Sequence, residues 1–296
     1  MFKKSKVLLK WLLSLPLEGC LFWINTIKIF FPSYAFKLID RLIELSDQQI
    51  LDVKHTHKNK ILLLKFNAPN SLCRYRVSTF ASKEPETLRW IEEFGGDGAF
   101  YDIGANIGLY SVYYAKLFKN KVYSFEPSVF NVKQLCKNIS LNLLSDQIIY
   151  FPLPLTSEDQ ISKFKINNFV EGGALNSFGV NYGYDGKPFK SKVMYSLPGL
   201  SLDSMIEKEI LKETPSIIKI DVDGIEHLIL QGAKKLISSK KCKSILIEVN
   251  ENFNQQRNQI NYSLKKAGFK LLENFYEKEQ NYKSSFAHVK NQIWIK

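Results

Sequence analysis

From residue 86 onward the chain alternates two apolar patterns. Short unbroken apolar runs of strand length are separated by stretches with apolar residues three and four apart, the spacing that lines one face of a helix. Ala99–Ile103, Lys121–Phe125, Ile148–Leu153, Ile217–Ile220 and Ser244–Val249 read as strands. Between them, helices are predicted over Glu86–Phe94, from Gly108 to near Phe118, over Val129–Asn142 with Ser128 as N-cap, and over Ile225–Ile237. Strands alternating with helices at this spacing predict an α/β fold with a largely parallel sheet and right-handed crossovers. A helix over Gln256–Ala267, a strand near Lys270–Glu273 and a last strand over Gln292–Ile295 predict a closing antiparallel hairpin.

Two regions depart from this rhythm. Residues 160–200 contain Gly172, Gly173, Gly179, Gly183 and Gly186 around two strand-like stretches, Lys163–Ile166 and Lys192–Leu197, and read as an inserted loop or hairpin at the edge or over the active face of the sheet. Residues 46–85 read as a β-rich cap, with strands within Ile50–Phe66 and at Tyr75–Phe80 and a turn at Lys58, Asn59 and Lys60. The domain proper is then 86–296, and 1–45 is a helical amino-terminal extension, a pair of helices over about 5–15 and 19–43. Lys3, Lys4 and Lys6 precede its apolar run, but Lys10, Pro16, Glu18, Asn25 and Lys28 interrupt it, so it lacks the ~20 apolar residues that span a bilayer. Basic residues ahead of Trp11, Trp23 and several Phe, Leu and Ile suit a helix lying on an anionic membrane surface; packing on the main domain or a second subunit is the alternative.

The 41 Lys and Arg against 29 acidic residues leave +12, compatible with nucleic acid, an anionic membrane or an acidic substrate. The lysines are scattered, which favours a generally basic solvated surface over a nucleic-acid stripe. Cys20, Cys73, Cys136 and Cys242 lie far apart, without a C-x-x-C pair, and suggest neither zinc nor a disulfide framework. A reducing, cytoplasmic location follows as the expectation, peripheral to the membrane if the extension binds it.

Candidate chemistry concentrates at the predicted strand ends. Asp102, Ile103, Gly104, Ala105, Asn106, Ile107 and Gly108 form a strand-to-helix turn whose glycines allow close backbone approach. With only Gly104 and Gly108, it lacks the amide run of a diphosphate site and suits a nucleoside ligand without phosphate, S-adenosylmethionine. Glu126 closes the following strand, where a carboxylate can accept both hydroxyls of a ribose. Lys219, Asp221 and Asp223 alternate on one side of an extended stretch, and in a sheet of buried strands such groups need a reason. Either Lys219 forms an ion pair with a carboxylate, or these groups act on a substrate, with Asp221 orienting or deprotonating it and Glu226 or His227 as further bases. A metal set of Asp221, Asp223, Glu226 and His227 lacks distinctive spacing, and no metal is expected.

Tyr101–Gly108, then Phe125, Glu126 and Pro127, then Asn138–Asn142 resemble the FkbM-type methyltransferase family. Leu202, Asp203 and Ser204, Lys219–Glu226, Leu230–Ala233 and Ile247, Glu248 and Val249 extend the resemblance, in the family's order, over about 86–255. It implies a class I methyltransferase fold, a Rossmann-like sheet with helices on both faces, and methyl transfer from S-adenosylmethionine, typically to an oxygen of a carbohydrate or other small metabolite. On it, Asp102, Gly104, Ala105, Asn106, Gly108, Glu126 and Pro127 are expected at the donor and Asp221, Lys219, Glu226 and His227 at the acceptor. Two departures stand out: Asp223 where the family usually has glutamate, and Leu153, Pro154, Leu155 and Thr156 in place of an alanine-rich stretch near the adenine. Competing readings are a nucleic-acid methyltransferase, which the charge favours and the absence of an Asn-Pro-Pro-Tyr motif disfavours, and a non-catalytic membrane-associated binding protein that keeps the fold.

Overall fold

The structure, a computed structural model, describes residues 18–188, 190–273 and 288–296. The helix expected over 5–15 lies outside them. The chain divides into two compact units, Met1–Gln49 and Ile50–Lys296.

In the described part of the first unit, α1 (18–30) precedes α2 (Pro32–Asp47). The single helix expected over 19–43 is two helices, because Phe31 leaves helical geometry at φ −138° and Pro32 opens the next. Proline suits that first position, where its missing N–H would be unpaired anyway. Ala35 is the buried residue of α2, while Trp23, Ile29, Phe30, Phe31 and Tyr34 are exposed. No helix among the described residues is long and apolar enough to cross a membrane.

The second unit opens with a hairpin, β1 (Ile50–His57) and β2 (Lys60–Asn67). Its turn falls where expected, on Lys58 and Asn59, both left-handed at φ 43° and 65°, as two-residue hairpin turns of the primed type require. The strand expected at Tyr75–Phe80 is instead part of helix α3 (Ser71–Ser78). The Asn70 side chain accepts from Cys73 N–H as N-cap, and Cys73 and Val77, one turn apart, are buried. A six-residue stretch with two buried positions fits either period, and the cap decides. Helix α4 (Pro85–Phe94) begins on a proline and ends before Gly96, which is left-handed at φ 97°.

The alternating core follows as β3 (Ala99–Ile103), α5 (Leu109–Phe118), β4 (Val122–Phe125), α6 (Val129–Leu141) and β5 (Ile148–Phe151). The inserted region forms its own antiparallel sheet from β6 (Gln160–Ile166), β7 (Ser177–Phe178) and β8 (Val193–Gly199). Next come α7 (Leu202–Glu207), β9 (Pro215–Ile220), α8 (Glu226–Gln231), α9 (Lys234–Ser238), β10 (Ser244–Asn250), α10 (Asn254–Lys266), β11 (Lys270–Leu271) and β12 (Val289–Ile295). The single helix expected over Ile225–Ile237 breaks at Gly232, where a Cβ would collide with the Thr156 carbonyl. Asp203 then caps α9 by accepting from the Lys235 and Leu236 amides.

The main sheet runs β11-β12-β10-β9-β3-β4-β5, parallel from β10 to β5, with β12 antiparallel to both neighbours. This is the class I methyltransferase arrangement. Alternate residues feed two cores: Phe100, Ile217, Leu246 and Ile293 pack with Leu64, Phe66 and Trp90 on one face, and Tyr101, Ile218, Ile245 and Trp294 pack with α8–α10 on the other. Chain order reverses at β3, which has β4 on one side and β9 on the other. Ligands of open α/β sheets sit at the carboxyl ends of strands at such a reversal.

Candidate functional site

A cavity of about 600 Å³ opens at those carboxyl ends, a size typical of small-molecule sites. Gly104, Asn106, Glu126 and Pro127 line one part, Leu153, Pro154, Leu155 and Phe125 an apolar part beside it, and Asp221, Val222, Asp223 and Glu248 another. Residues 173–176 of the insertion cross the cavity as a strap. The Gly173 carbonyl accepts from the Asn106 and Asn131 side chains at 2.8 and 3.0 Å, the Gly172 carbonyl from Arg76 Nε at 2.6 Å, and Asp223 Oδ2 from the Leu175 amide at 2.6 Å.

The turn after β3 is shaped by packing as much as by approach to a ligand. Gly104 is left-handed at φ 83°, and a Cβ there would collide with the Asp221 carbonyl oxygen of the neighbouring strand. The Gly104 and Ala105 amides both donate to the Phe125 carbonyl, tying the turn to β4. At the end of β4, Glu126 Oε2 accepts from the Asn106 amide and Oε1 from the Ser128 amide, each at 2.8 Å. Burial outweighs these bonds and pushes its carboxyl up to about 7. Each oxygen retains an acceptor lone pair, so a diol facing the cavity can be bound as the proton leaves.

Across β3, the buried Lys219 donates to Asp221 Oδ2 at 2.6 Å. Burial disfavours its charge, but Asp221, Glu84 and Asp102 together hold it protonated above the usual lysine range. Glu84, ahead of α4, is half-buried; desolvation raises its carboxyl, yet Lys83 and Lys219 outweigh this and bring it down to about 2. Glu248, at the end of β10, is pushed well above the usual range by burial and then by Asp221, Asp223, Glu226 and Glu84. Carboxylates of six residues reach the wall (Glu84, Glu86, Glu126, Asp221, Asp223 and Glu248), against Arg76, Lys83 and Lys290. In a chain carrying +12, this acidic lining marks the interior as electrostatically distinct from the surface.

Gly104, Asn106, Glu126, Pro127 and Asp221 thus meet on one cavity, with Ala105 and Lys219 on a small cleft that shares Gly104 and Asp221 with it. Four expected residues lie elsewhere. Asp102 is buried and accepts from Ser111 Oγ at 2.5 Å, so it organises α5. Gly108 starts α5, where a Cβ would strike Leu135 of α6, so it serves helix packing. Glu226 is fully buried, accepting from the Val222 and Gly224 amides and from Gln256 Nε2. Its carboxylate is thereby committed to the loop after β9. His227 is buried against Phe253, and burial brings its pKa down to about 4, leaving it neutral. Neither lines the cavity. No group of residues suited to hold a metal occurs among the described residues.

Glu84, Arg76, Asn131 and Glu248 were not singled out as site residues from the sequence. For Glu248 a signal existed: a charged residue closing an apolar strand of a parallel sheet, the argument already applied to Asp221.

A family profile described as "Methyltransferase FkbM domain" matches residues 102–280. No curated protein matches the chain. Among solved structures it is similar to a methyltransferase FkbM from Methylobacillus flagellatus KT, at 15% identity over 67% of this chain and 43% of that one, with a TM-score of 0.42. This chain therefore spans less than half of that protein. It is also similar to TYW2 of M. jannaschii in complex with AdoMet, at 15% identity over 82% and 84% of the two chains and a TM-score of 0.39.

Proposed function

The chain belongs to the FkbM methyltransferase family, and on that premise we propose that it uses S-adenosylmethionine to methylate an oxygen of a carbohydrate or related small metabolite. The observation that carries the donor assignment is Glu126, a carboxylate on the cavity wall at the reversal of strand order, beside the Gly104 turn. When bound, the donor supplies an electrophilic methyl group on a sulfonium.

The chain's own residues fit that ligand. Leu153, Pro154, Leu155 and Phe125 offer an apolar surface for the adenine; Glu126 accepts from the ribose hydroxyls; the Gly104 turn lies under the amino-acid end, with Arg76 and Lys83 available to its carboxylate. In-line transfer demands positioning above all, and the strap, pinned by Asn106, Asn131 and Asp223, closes the cavity over the reacting groups. Asp221, its charge offset by Lys219, orients the acceptor. The acidic lining favours a neutral or cationic acceptor over a phosphate backbone, which weighs against nucleic acid despite the basic surface.

The exposed Trp23, Phe30 and Phe31 and the amino-terminal lysines support a peripheral membrane role for the first unit. Full-length chain that never sediments with anionic vesicles would remove it. Calorimetric titration with S-adenosylmethionine and S-adenosylhomocysteine tests the main reading: both are expected to bind one site per chain. A folded protein that binds neither is the non-catalytic alternative.

A further inference from the structure

The cavity floor is a single row of strand ends. β3 pairs with β9 through Ile103 and Ile220, β9 with β10 through Ile220 and Ile247, and β10 with β12 through Glu248 and Asn291. The residues that follow in register stand side by side: Gly104, Asp221, Glu248 and Asn291, on strands about 4.8 Å apart. Glu126 extends the row on the other side, since Phe125 pairs with Ile103. All five line the cavity. With the ribose at Glu126 and the amino-acid end over Gly104, the next carboxylates along the row are Asp221 and Glu248.

These two differ in their commitments. Asp221 is held by Lys219 at 2.6 Å, which fixes the position of its carboxylate. Glu248 is half-buried, faces the cavity, and among the described residues its carboxyl receives no hydrogen bond. A free carboxyl beside a fixed one divides the work into a base and an orienting group.

We propose that Glu248 is the base of the transfer, an inference that rests on the donor reading above: it takes the proton of the acceptor hydroxyl that Asp221 orients. As the acceptor oxygen bonds to the methyl carbon, the carbon–sulfur electron pair returns to sulfur, and the hydroxyl proton passes to Glu248 and then to solvent. The charges around this point come from every wall: Asp221 and Asp223 after β9, Glu226 of α8, Glu84 and Glu86 at the start of α4, Arg76 of α3, Lys83, Lys219 and, from β12, Lys290. Burial and the neighbouring acids favour a protonated Glu248 in the empty site. A positive charge placed beside it by the donor favours ionisation, so the base forms when the donor arrives.

Two donor analogues test this without knowledge of the acceptor. S-adenosylhomocysteine carries a neutral sulfur at the reacting position, and sinefungin carries a primary ammonium on carbon there. Calorimetry on the full chain should show sinefungin binding at least tenfold more tightly than S-adenosylhomocysteine, the scale of a hydrogen bond to a charged group. In Glu248→Gln that preference should shrink to about threefold or less. Parity of the two ligands in the wild type, or a preference that survives in Glu248→Gln, overturns the assignment. Should the variant not fold, the wild type still decides: in buffers of different ionisation enthalpy, sinefungin should release more protons at pH 7 than S-adenosylhomocysteine, and equal release overturns it. If neither analogue binds, the donor reading itself has failed.

Discussion

Glu126 follows β4, Glu248 follows the last residue of β10 that pairs with β9, and both line the same cavity, yet the chain treats them in opposite ways. Glu126 is gripped by two backbone amides at 2.8 Å from the turns on either side of it. Glu248 has no such grip and sits among Asp221, Asp223, Glu226 and Glu84. A binding group benefits from a fixed position, whereas a proton acceptor benefits from unfilled lone pairs and a carboxyl that is easily protonated. The difference teaches that the proposed donor half is built around a local strand, turn and helix, while the proposed acceptor half is assembled from elements far apart in the chain.

The largest effect should come from the turn that joins the halves. Gly104→Val puts a branched side chain where the Asp221 carbonyl lies and where φ is 83°. Left-handed strain and overpacking together should destabilise the fold by about 3 kcal/mol or more and abolish donor binding. A variant that melts like the wild type would mean the two strands are free to separate there.

Asp221→Asn should lower turnover by about 100-fold or more while donor affinity stays within about threefold. Methyl transfer to the acceptor and donor calorimetry on one preparation check it. Donor binding lost in parallel would move Asp221 to the donor half.

Glu126→Ala should weaken donor binding by about 1.5–3 kcal/mol, as expected for hydrogen bonds to a charged group. Because the ribose binds the ionised carboxylate and burial sets that carboxyl at about 7, affinity should fall as pH drops below 7. A flat affinity between pH 6 and 8 contradicts this. The same burial affects folding with the opposite preference. Glu126 and Glu226, both raised from 4.5 to about 7, and Asp223, raised from 3.8 to about 6, bind protons more tightly folded than unfolded. Their stabilising contribution is full below about pH 4 and is lost as pH rises through 6 to 7. His227, lowered from 6.5 to about 4, acts in the other sense, adding stability as pH rises over that range. With three acids against one histidine, the melting temperature of the ligand-free protein should decline from pH 5 to 7.5, and a rise over that interval would contradict the burial of these carboxyls.

What could be read in advance follows the same division. Ala99–Ile103 is short, apolar and followed by two glycines, and it forms β3 with those bounds; Glu126 ends the next strand as expected. Both depend on neighbours within one β-α-β unit. The pairing of Glu248 with Asp221 depends on which strands adjoin, and the roles of Arg76 and Asn131 depend on a strap some distance along the chain. None of these contacts has a local signature. Glu226 and His227 misled for a related reason: their position after β9 suggested the cavity, but α8 turns them beneath the loop, where Gln256 of α10 meets Glu226. Gly232, where α8 gives way to α9, lies against the carbonyl of Thr156, also remote in sequence.

The smallest effect is expected at Asp223, where the strap meets the acceptor half. On the donor half Asn131 holds the strap through two buried bonds, to the Gly172 amide at 2.9 Å and the Gly173 carbonyl at 3.0 Å, and Asn106 and Arg76 add one each, to the Gly173 and Gly172 carbonyls. Asp223 supplies a bond to the Leu175 amide, with the Asn176 amide also directed at its carboxylate. Its loss in Asp223→Ala costs that bond and some strain, because residue 223 is left-handed at φ 63°, which alanine tolerates less well than aspartate. Against this, removing the carboxylate relieves repulsion with Asp221, which contributes to the raised carboxyl of Asp223 itself. The two nearly cancel, so the net change in denaturant stability should be under about 1 kcal/mol, while Asn131→Ala, which leaves the buried Gly172 amide unpaired and the Gly173 carbonyl with Asn106 only, should cost about 2 kcal/mol. Relief of the same repulsion should lower the carboxyl of Glu248 and narrow the difference in proton release between sinefungin and S-adenosylhomocysteine. If Asp223→Ala instead destabilises as much as Asn131→Ala, the strap is anchored equally at both ends and belongs to neither half.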